Sequence, residues 1–252
     1  MEDGIGWIVF DQPERRNAIS AEMWQAIPAI AAALDADPAV RVVVMRGAGE
    51  LAFVSGADIS EFEQQRSGAQ ARDYDERNAQ AFGALSRMQK PLLALIHGFC
   101  VGGGCAIALC ADLRFAAEDA VFAIPAARLG LGYSAEGLAS LVRVVGLPAA
   151  KEIFFTARRF DAGEARAVGL VNRVLPKAEL DAYVLRTAKQ IAENAPLTLA
   201  SAKLALGQLA LDPARRDPDA VSRAIERCYA SRDYAEGVRA FLDKRKPVFH
   251  GE

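Results

Sequence analysis

Two short segments place glycine among small residues in a way that allows chemistry without a reactive side chain. One runs Phe53-Val54-Ser55-Gly56-Ala57-Asp58-Ile59, the other Gly98-Phe99-Cys100-Val101-Gly102-Gly103-Gly104-Cys105. Each follows an apolar run and leads into a helical pattern. The amides of Ala57 and of the glycine triplet therefore fall near helix starts, where N–H groups lack intrahelical partners and the helix dipole favours negative charge. Two such donors aimed at one point stabilise an oxyanion. Tight strand–helix packing is the alternative for either segment alone. Neither is a phosphate loop: no Lys-Ser/Thr follows the glycines, and the Gly-x-Gly-x-x-Gly spacing is absent.

Side-chain chemistry is sparse. His97 and His250 are the two histidines, which leaves no multi-histidine metal site. His97, at the end of an apolar run, reads as a structural residue. Cys100, Cys105 and Cys110 recur every five residues, a spacing that matches no zinc motif. They read as buried, reduced thiols. With 30 Lys+Arg against 32 Asp+Glu, the net charge of −2 argues against nucleic acid or an anionic membrane as the main partner. No apolar run reaches the roughly 18 residues of a membrane span. The Met1-Glu-Asp-Gly start has no secretory pattern, so a cytoplasmic setting is expected.

The elements that must position these segments follow from periodicity. Gly6–Phe10, Val40–Met45, Pro91–Ile96, Leu113–Ala116 and Val121–Ile124 read as strands, several covered on both faces. Met23, Ile27, Ile30 and Leu34 mark one face of a helix that Pro38 ends. A second helix is expected over Asp73–Met88, a third from the glycines through Leu109. After about Ala135 helical patterns dominate, with one strand expected at Leu170–Val174. Leu180, Val184 and Ile191 mark one later helix. Leu199, Leu206 and Leu209 mark another, and Val221, Ile225 and Cys228 a third. Pro196 suits a first helical turn. The pattern is α/β, with a boundary near 195 separating residues 1–194 from 195–252.

Taken together, Phe53-x-x-Gly56-Ala57-Asp58, Gly98-x-x-x-Gly102-Gly103-Gly104 and Ala165-x-x-x-Gly169-Leu-Val-Asn172-x-Val174 resemble the enoyl-CoA hydratase/isomerase, or crotonase, superfamily. The likeness runs from Pro13-Glu-Arg-Arg-Asn-Ala18 to the segment ending at Phe249. It implies a crotonase-type β-β-α superhelix with a C-terminal helical trimerisation module, and a homo-oligomer that is a trimer or dimer of trimers. It also implies that Ala57 and Gly103 bind the thioester oxygen of an acyl-CoA. Coenzyme A would arrive as part of the substrate, with no metal or redox cofactor. The substrate contacts implied are Arg16, Ala18, Ser55, Asp58, Ile59, Val101, Pro125, Leu129, Phe241 and Lys244, with Asp58 better suited to a helix start than to catalysis. The acyl pocket would draw on the Gln64–Met88 helix.

The chain departs from the family at its acids. Hydratases carry a glutamate three residues after the middle glycine, here Ala106, and another directly after a proline, here Ala126. Alanine exchanges no proton, so the two-glutamate mechanism is not carried over. Tyr133 and Glu136 are the tentative replacements, Tyr133 matching a tyrosine of methylmalonyl-CoA decarboxylases. The expectation is therefore an enzyme of the hydratase/isomerase type working through a thioester enolate. A malonyl-type decarboxylase and a non-catalytic acyl-CoA binder are the alternatives.

Overall fold

The structure, a computed structural model, describes residues 3–58 and 70–252, with backbone alone for 70–72. The chain opens with β1 (Ile5–Phe10), α1 (Ala21–Ala36), β2 (Val42–Gly47) and β3 (Ala52–Val54). It continues through α2 (Gln70–Ser86), β4 (Leu92–Ile96), β5 (Phe99–Val101), α3 (Gly103–Ala108), β6 (Leu113–Ala117), β7 (Val121–Ala123) and α4 (Ala126–Leu129). Then come α5 (Ala135–Thr156), β8 (Phe160–Asp161), α6 (Ala162–Ala167), β9 (Arg173–Leu175) and α7 (Lys177–Ala192). Three helices close the chain: α8 (Pro196–Leu209), α9 (Pro218–Tyr229) and α10 (Arg232–Leu242).

From β2 to β7, successive strands are dealt alternately to two sheets. The first is parallel, in the order β1-β2-β4-β6-β9. The strands that directly follow β2, β4 and β6, together with β8, build the second, ordered β3-β5-β7-β8 and ending in an antiparallel pair. Each β-β-α unit thus gives one strand to each sheet. Gly98 permits one of these crossings: its φ is +53°, and a Cβ there would lie 2.0 Å from the Leu51 carbonyl oxygen.

The first sheet is buried on both faces. Val43, Met45, Leu92, Ala94 and Ile96 enter the core shared with the second sheet. Val42, Val44, Leu93 and Leu95 pack on the other face with Leu180, Val184 and Ala188 of α7. Two-sided burial is why these strands read as unbroken apolar runs.

Several boundaries differ from expectation. The buried stripe of α1 is Trp24, Ile27 and Ala31, while Ile30 is 40% exposed. Helix α2, described from Gln70, stops at Ser86, because the Asp35 carboxylate accepts from the Gln89 and Lys90 amides and draws the chain away. Helix α3 ends at Ala108, with Leu109 as its cap. Phe53-Val54 and Phe99–Val101, read above as parts of glycine turns, are short strands. At 170–174 only Arg173 onward is strand. Gly169 is left-handed, and the Leu170 amide donates to Ala165, so Leu170 and Val171 are buried in a helix-ending turn. The Leu206, Leu209 and Ile225 positions lie on helices as expected, yet all three are exposed. Among the described residues, no helix is long and apolar enough to cross a membrane.

Candidate active site

Asn17, buried with φ +55°, organises the first turn. Its side-chain nitrogen donates to the carbonyls of Ala52 (2.7 Å) and Ala48 (3.1 Å), and its oxygen accepts from the Gln12 amide at 3.1 Å. Residues 16–19 are thereby laid alongside 55–58. Ser55 N donates to Arg16 O at 3.1 Å, Ile19 N to Gly56 O at 2.8 Å, and Asp58 N to Ile19 O at 3.0 Å. Backbone polar groups alternate in direction along an extended chain. With Gly56 C=O and Asp58 N–H both turned to Ile19, the Ala57 N–H faces the other way. Among the described residues it has no hydrogen-bond acceptor.

The second turn is anchored from the second sheet. Gly102 (φ +54°, ψ −113°) donates its amide to Ala123 O at 2.8 Å and accepts from Ala106 N at 3.2 Å, which starts α3. Gly103 is the first residue of that helix, and its N–H is one of the donors a helix start leaves open. Few residues other than glycine adopt the Gly102 conformation. Gly104 is needed for a different reason: a Cβ there would lie 2.2 Å from the Val54 carbonyl oxygen. This close approach brings the turns into register. A Cβ on Gly56 would lie 3.5 Å from Val101 O, and one on Gly103 would lie 3.9 Å from Ala57 N. The open amides of Ala57 and Gly103 thus border one point, an arrangement able to hold a negatively charged oxygen.

Around this point the structure gathers several expected residues. Ala18 and Asp58 are buried, and Asp58 forms an ion pair with Arg15. Ser55 Oγ donates to Arg15 O at 3.1 Å. The Arg16 guanidinium lies over the Phe99 ring, 4.8 Å from its centroid. Val101 ends β5, and Pro125 caps α4, two residues beyond the Ala123 carbonyl that anchors Gly102. Ile59 lies outside the described residues, as do residues 64–69 of the helix expected to line the pocket.

The other candidates sit apart in the chain. Leu129 ends α4 and is exposed. Tyr133 is half-exposed, its ring edge-on to Phe154 at 4.9 Å. Glu136 is exposed in the first turn of α5, which Ser134 caps by accepting from Gly137 N at 3.1 Å. Phe241 and Lys244 belong to α10 and its end; Phe241 is 83% exposed and Lys244 has φ +55°.

The buried side chains behind the turns are structural. His97 Nε2 lies 2.6 Å from Asp181 Oδ1, and Arg46 reaches the other oxygen at 3.2 Å, which ties α7 to the ends of β2 and β4. Cys105 Sγ donates to Cys100 O at 2.9 Å. Burial pushes the Cys100 thiol well up and the Cys110 thiol up to about 11, so both stay protonated and unreactive. Among the described residues, no group of three His, Cys, Asp or Glu side chains could hold a metal ion.

Trp24 of α1 escaped the sequence reading. Its ring atoms Cζ2 and Cη2 lie 3.4 and 3.7 Å from the Cβ position of Gly103, against the same point the amides border. The available signal was its burial stripe, one residue off the face chosen from periodicity.

Comparison with known proteins agrees with this architecture. The family described as enoyl-CoA hydratase/isomerase matches residues 1–252. A crotonyl-CoA hydratase from Syntrophomonas wolfei subsp. wolfei is 34% identical over 98% of this chain and 95% of its own. A short-chain-enoyl-CoA hydratase from Clostridium acetobutylicum is 32% identical over 97% and 94%. The crystal structure of an enoyl-CoA hydratase/carnithine racemase from Magnetospirillum magneticum superposes with a TM-score of 0.95 at 38% identity, covering 100% of this chain and 94% of that one. Fold, turns and relatives agree along the whole length: the chain belongs to the enoyl-CoA hydratase/isomerase family.

Proposed function

We propose that this enzyme binds an acyl-CoA thioester and stabilises its enolate with the amides of Ala57 and Gly103. The observation that carries the reading is the convergence of these two open amides across glycine turns in contact. Negative charge accumulates on the thioester oxygen as the enolate forms. Preorganised donors therefore favour the enolate over the ground state, and one such donor is worth about 3 kcal/mol. The substrate class is supported by relatives that are named for crotonyl-CoA and short-chain enoyl-CoA.

The reaction is of the hydratase/isomerase type but does not use two glutamates. By the family resemblance, Ala106 on α3 and the buried Ala126 at the start of α4 occupy those positions. Tyr133 and Glu136 are the groups left to move a proton. The same two methyl groups favour a second reading, decarboxylation of a malonyl-type acyl-CoA. There the electron pair of the breaking C–C bond stays on Cα, CO2 leaves, and the enolate forms without a base. Incubation with crotonyl-CoA and with methylmalonyl-CoA separates the readings. Loss of enoyl absorbance supports the first and release of CO2 the second. Tight binding with neither signal would make the protein a non-catalytic acyl-CoA binder and overturn both.

The reading includes a homo-oligomer, a trimer or dimer of trimers, assembled through residues 195–252. Support comes from Leu206, Leu209, Tyr229 and Phe241, whose apolar surface lies exposed on one chain. Arg16, Phe241 and Lys244 would hold the coenzyme, which enters as part of the substrate without further cofactor. A cytoplasmic setting suits the four free cysteines.

A further inference from the structure

We infer that Arg159 completes a phosphate clamp with Arg16 across the Phe99 ring, gripping the nucleotide end of the coenzyme; the inference rests on the acyl-CoA reading above. The Arg16 and Arg159 guanidiniums lie 4.8 and 5.8 Å from the centroid of this one ring. The strands set the meeting. Cys100 is buried in the core, so Phe99 and Val101 on either side of it point to the outer face of the second sheet. Phe160 of β8 is buried and stacks on Phe122 at 5.7 Å, which leaves Arg159, one residue earlier, to reach the outer face and Phe99. Arg16 comes to the ring from the first turn, where its carbonyl accepts from the Ser55 amide at 3.1 Å. The same face leads to the amides: Val101 directly precedes Gly102, and its carbonyl oxygen lies 3.5 Å from the Cβ position of Gly56.

Both arginines are exposed, and among the described residues neither guanidinium has an ion-pair or hydrogen-bond partner. Their chain neighbours differ. Arg15 pairs with Asp58, and Arg158 with Glu152 and Glu164 at 2.9 and 2.7 Å. Two like charges gathered at one ring repel each other, and exposed cation–π contacts return little against that. A phosphate offsets the repulsion, because each guanidinium presents a planar fork of N–H donors that matches phosphate oxygens. The shared ring also holds both side chains before the ligand arrives, so less rotamer freedom is lost on binding. Coenzyme A offers two such groups, a diphosphate and a phosphate monoester on its ribose. With the thioester at Ala57 and Gly103, the nucleotide would extend along the outer face toward Phe99.

The test is calorimetric binding of butyryl-CoA, butyryl-dephospho-CoA and S-butyryl-pantetheine to the wild-type protein and to Arg159→Ala and Arg159→Glu. The pantetheine thioester carries no phosphate and reports on the amide site alone. Arg159→Ala is expected to weaken butyryl-CoA about tenfold and Arg159→Glu further, the loss of one charge-assisted contact being the cause. Both variants should bind the pantetheine thioester as the wild type does. A loss that persists with butyryl-dephospho-CoA places the diphosphate in the clamp; a loss confined to butyryl-CoA places the ribose phosphate there. Unchanged affinity of both variants for butyryl-CoA would overturn the inference. Equal losses for butyryl-CoA and the pantetheine thioester would overturn it too, because Arg159 would then only support the fold. If the wild type binds none of the three, the acyl-CoA reading itself falls, and the inference with it.

Discussion

Residues 42–123 and the helices after 195 spend their apolar side chains in opposite ways. In the first region Val42–Met45 and Leu92–Ile96 are buried on both sheet faces, and the glycine turns hold the Ala57 and Gly103 main-chain amides open. In the second, Leu206, Leu209, Tyr229 and Phe241 are exposed, and the tail is fastened by charge. Arg245 grips Glu236 at 2.6 and 2.8 Å and holds its carboxyl down at about 2, while Asp233 accepts from the His250 and Gly251 amides at 2.7 and 2.8 Å. A site made of backbone depends on how closely two chain segments approach, so one added methyl group can disrupt it. A surface of exposed side chains has no such constraint within one chain. Its substitutions should appear in binding and assembly rather than in folding.

The largest effect that sharpens this contrast is expected at Gly104. Gly104→Ala puts a methyl group 2.2 Å from a backbone oxygen, and should cost about 3 kcal/mol or more in urea unfolding. The neighbouring Gly103→Ala meets nothing closer than the Trp24 ring at 3.4 Å and should fold with near-wild-type stability. Equal losses at the two positions would break the comparison. A smaller effect is expected at Lys244 in the second region. Lys244→Ala should weaken coenzyme A binding about two- to fivefold and flatten its dependence on salt, with unfolding unchanged. Affinity that matches wild type across salt would remove Lys244 from the coenzyme site.

The first sheet was legible because two-sided burial writes long apolar runs into the sequence, and Val42–Met45 and Leu92–Ile96 carry them. The glycine turns were legible by composition, though not the division of labour inside the triplet. Gly102 supplies a left-handed cap, Gly104 a close approach and Gly103 an amide, and these are differences of backbone geometry rather than residue type. Strands of three residues such as β3 and β5 are too short to display alternation. Leu170 and Val171 have strand-like side chains but are placed by the left-handed Gly169. Trp24 was hidden because a buried helix position and a site wall share one signature, an apolar residue on the inner face. The exposed stripes of α8 and α9 read correctly as helices; periodicity does not say whether the surface that covers a stripe belongs to the same chain.

The claim that Ala57 and Gly103 act on the thioester oxygen is tested most directly on the carbonyl itself. Infrared difference spectra of butyryl-CoA labelled with carbon-13 at the thioester carbonyl report the bond's polarisation in the bound state. The stretch should move to lower wavenumber on binding to the wild-type protein. In a folded Gly103→Pro variant, which lacks one N–H, much of that displacement should be lost. A bound carbonyl that vibrates at its free frequency, or a displacement unchanged in the variant, would contradict the assignment of these amides.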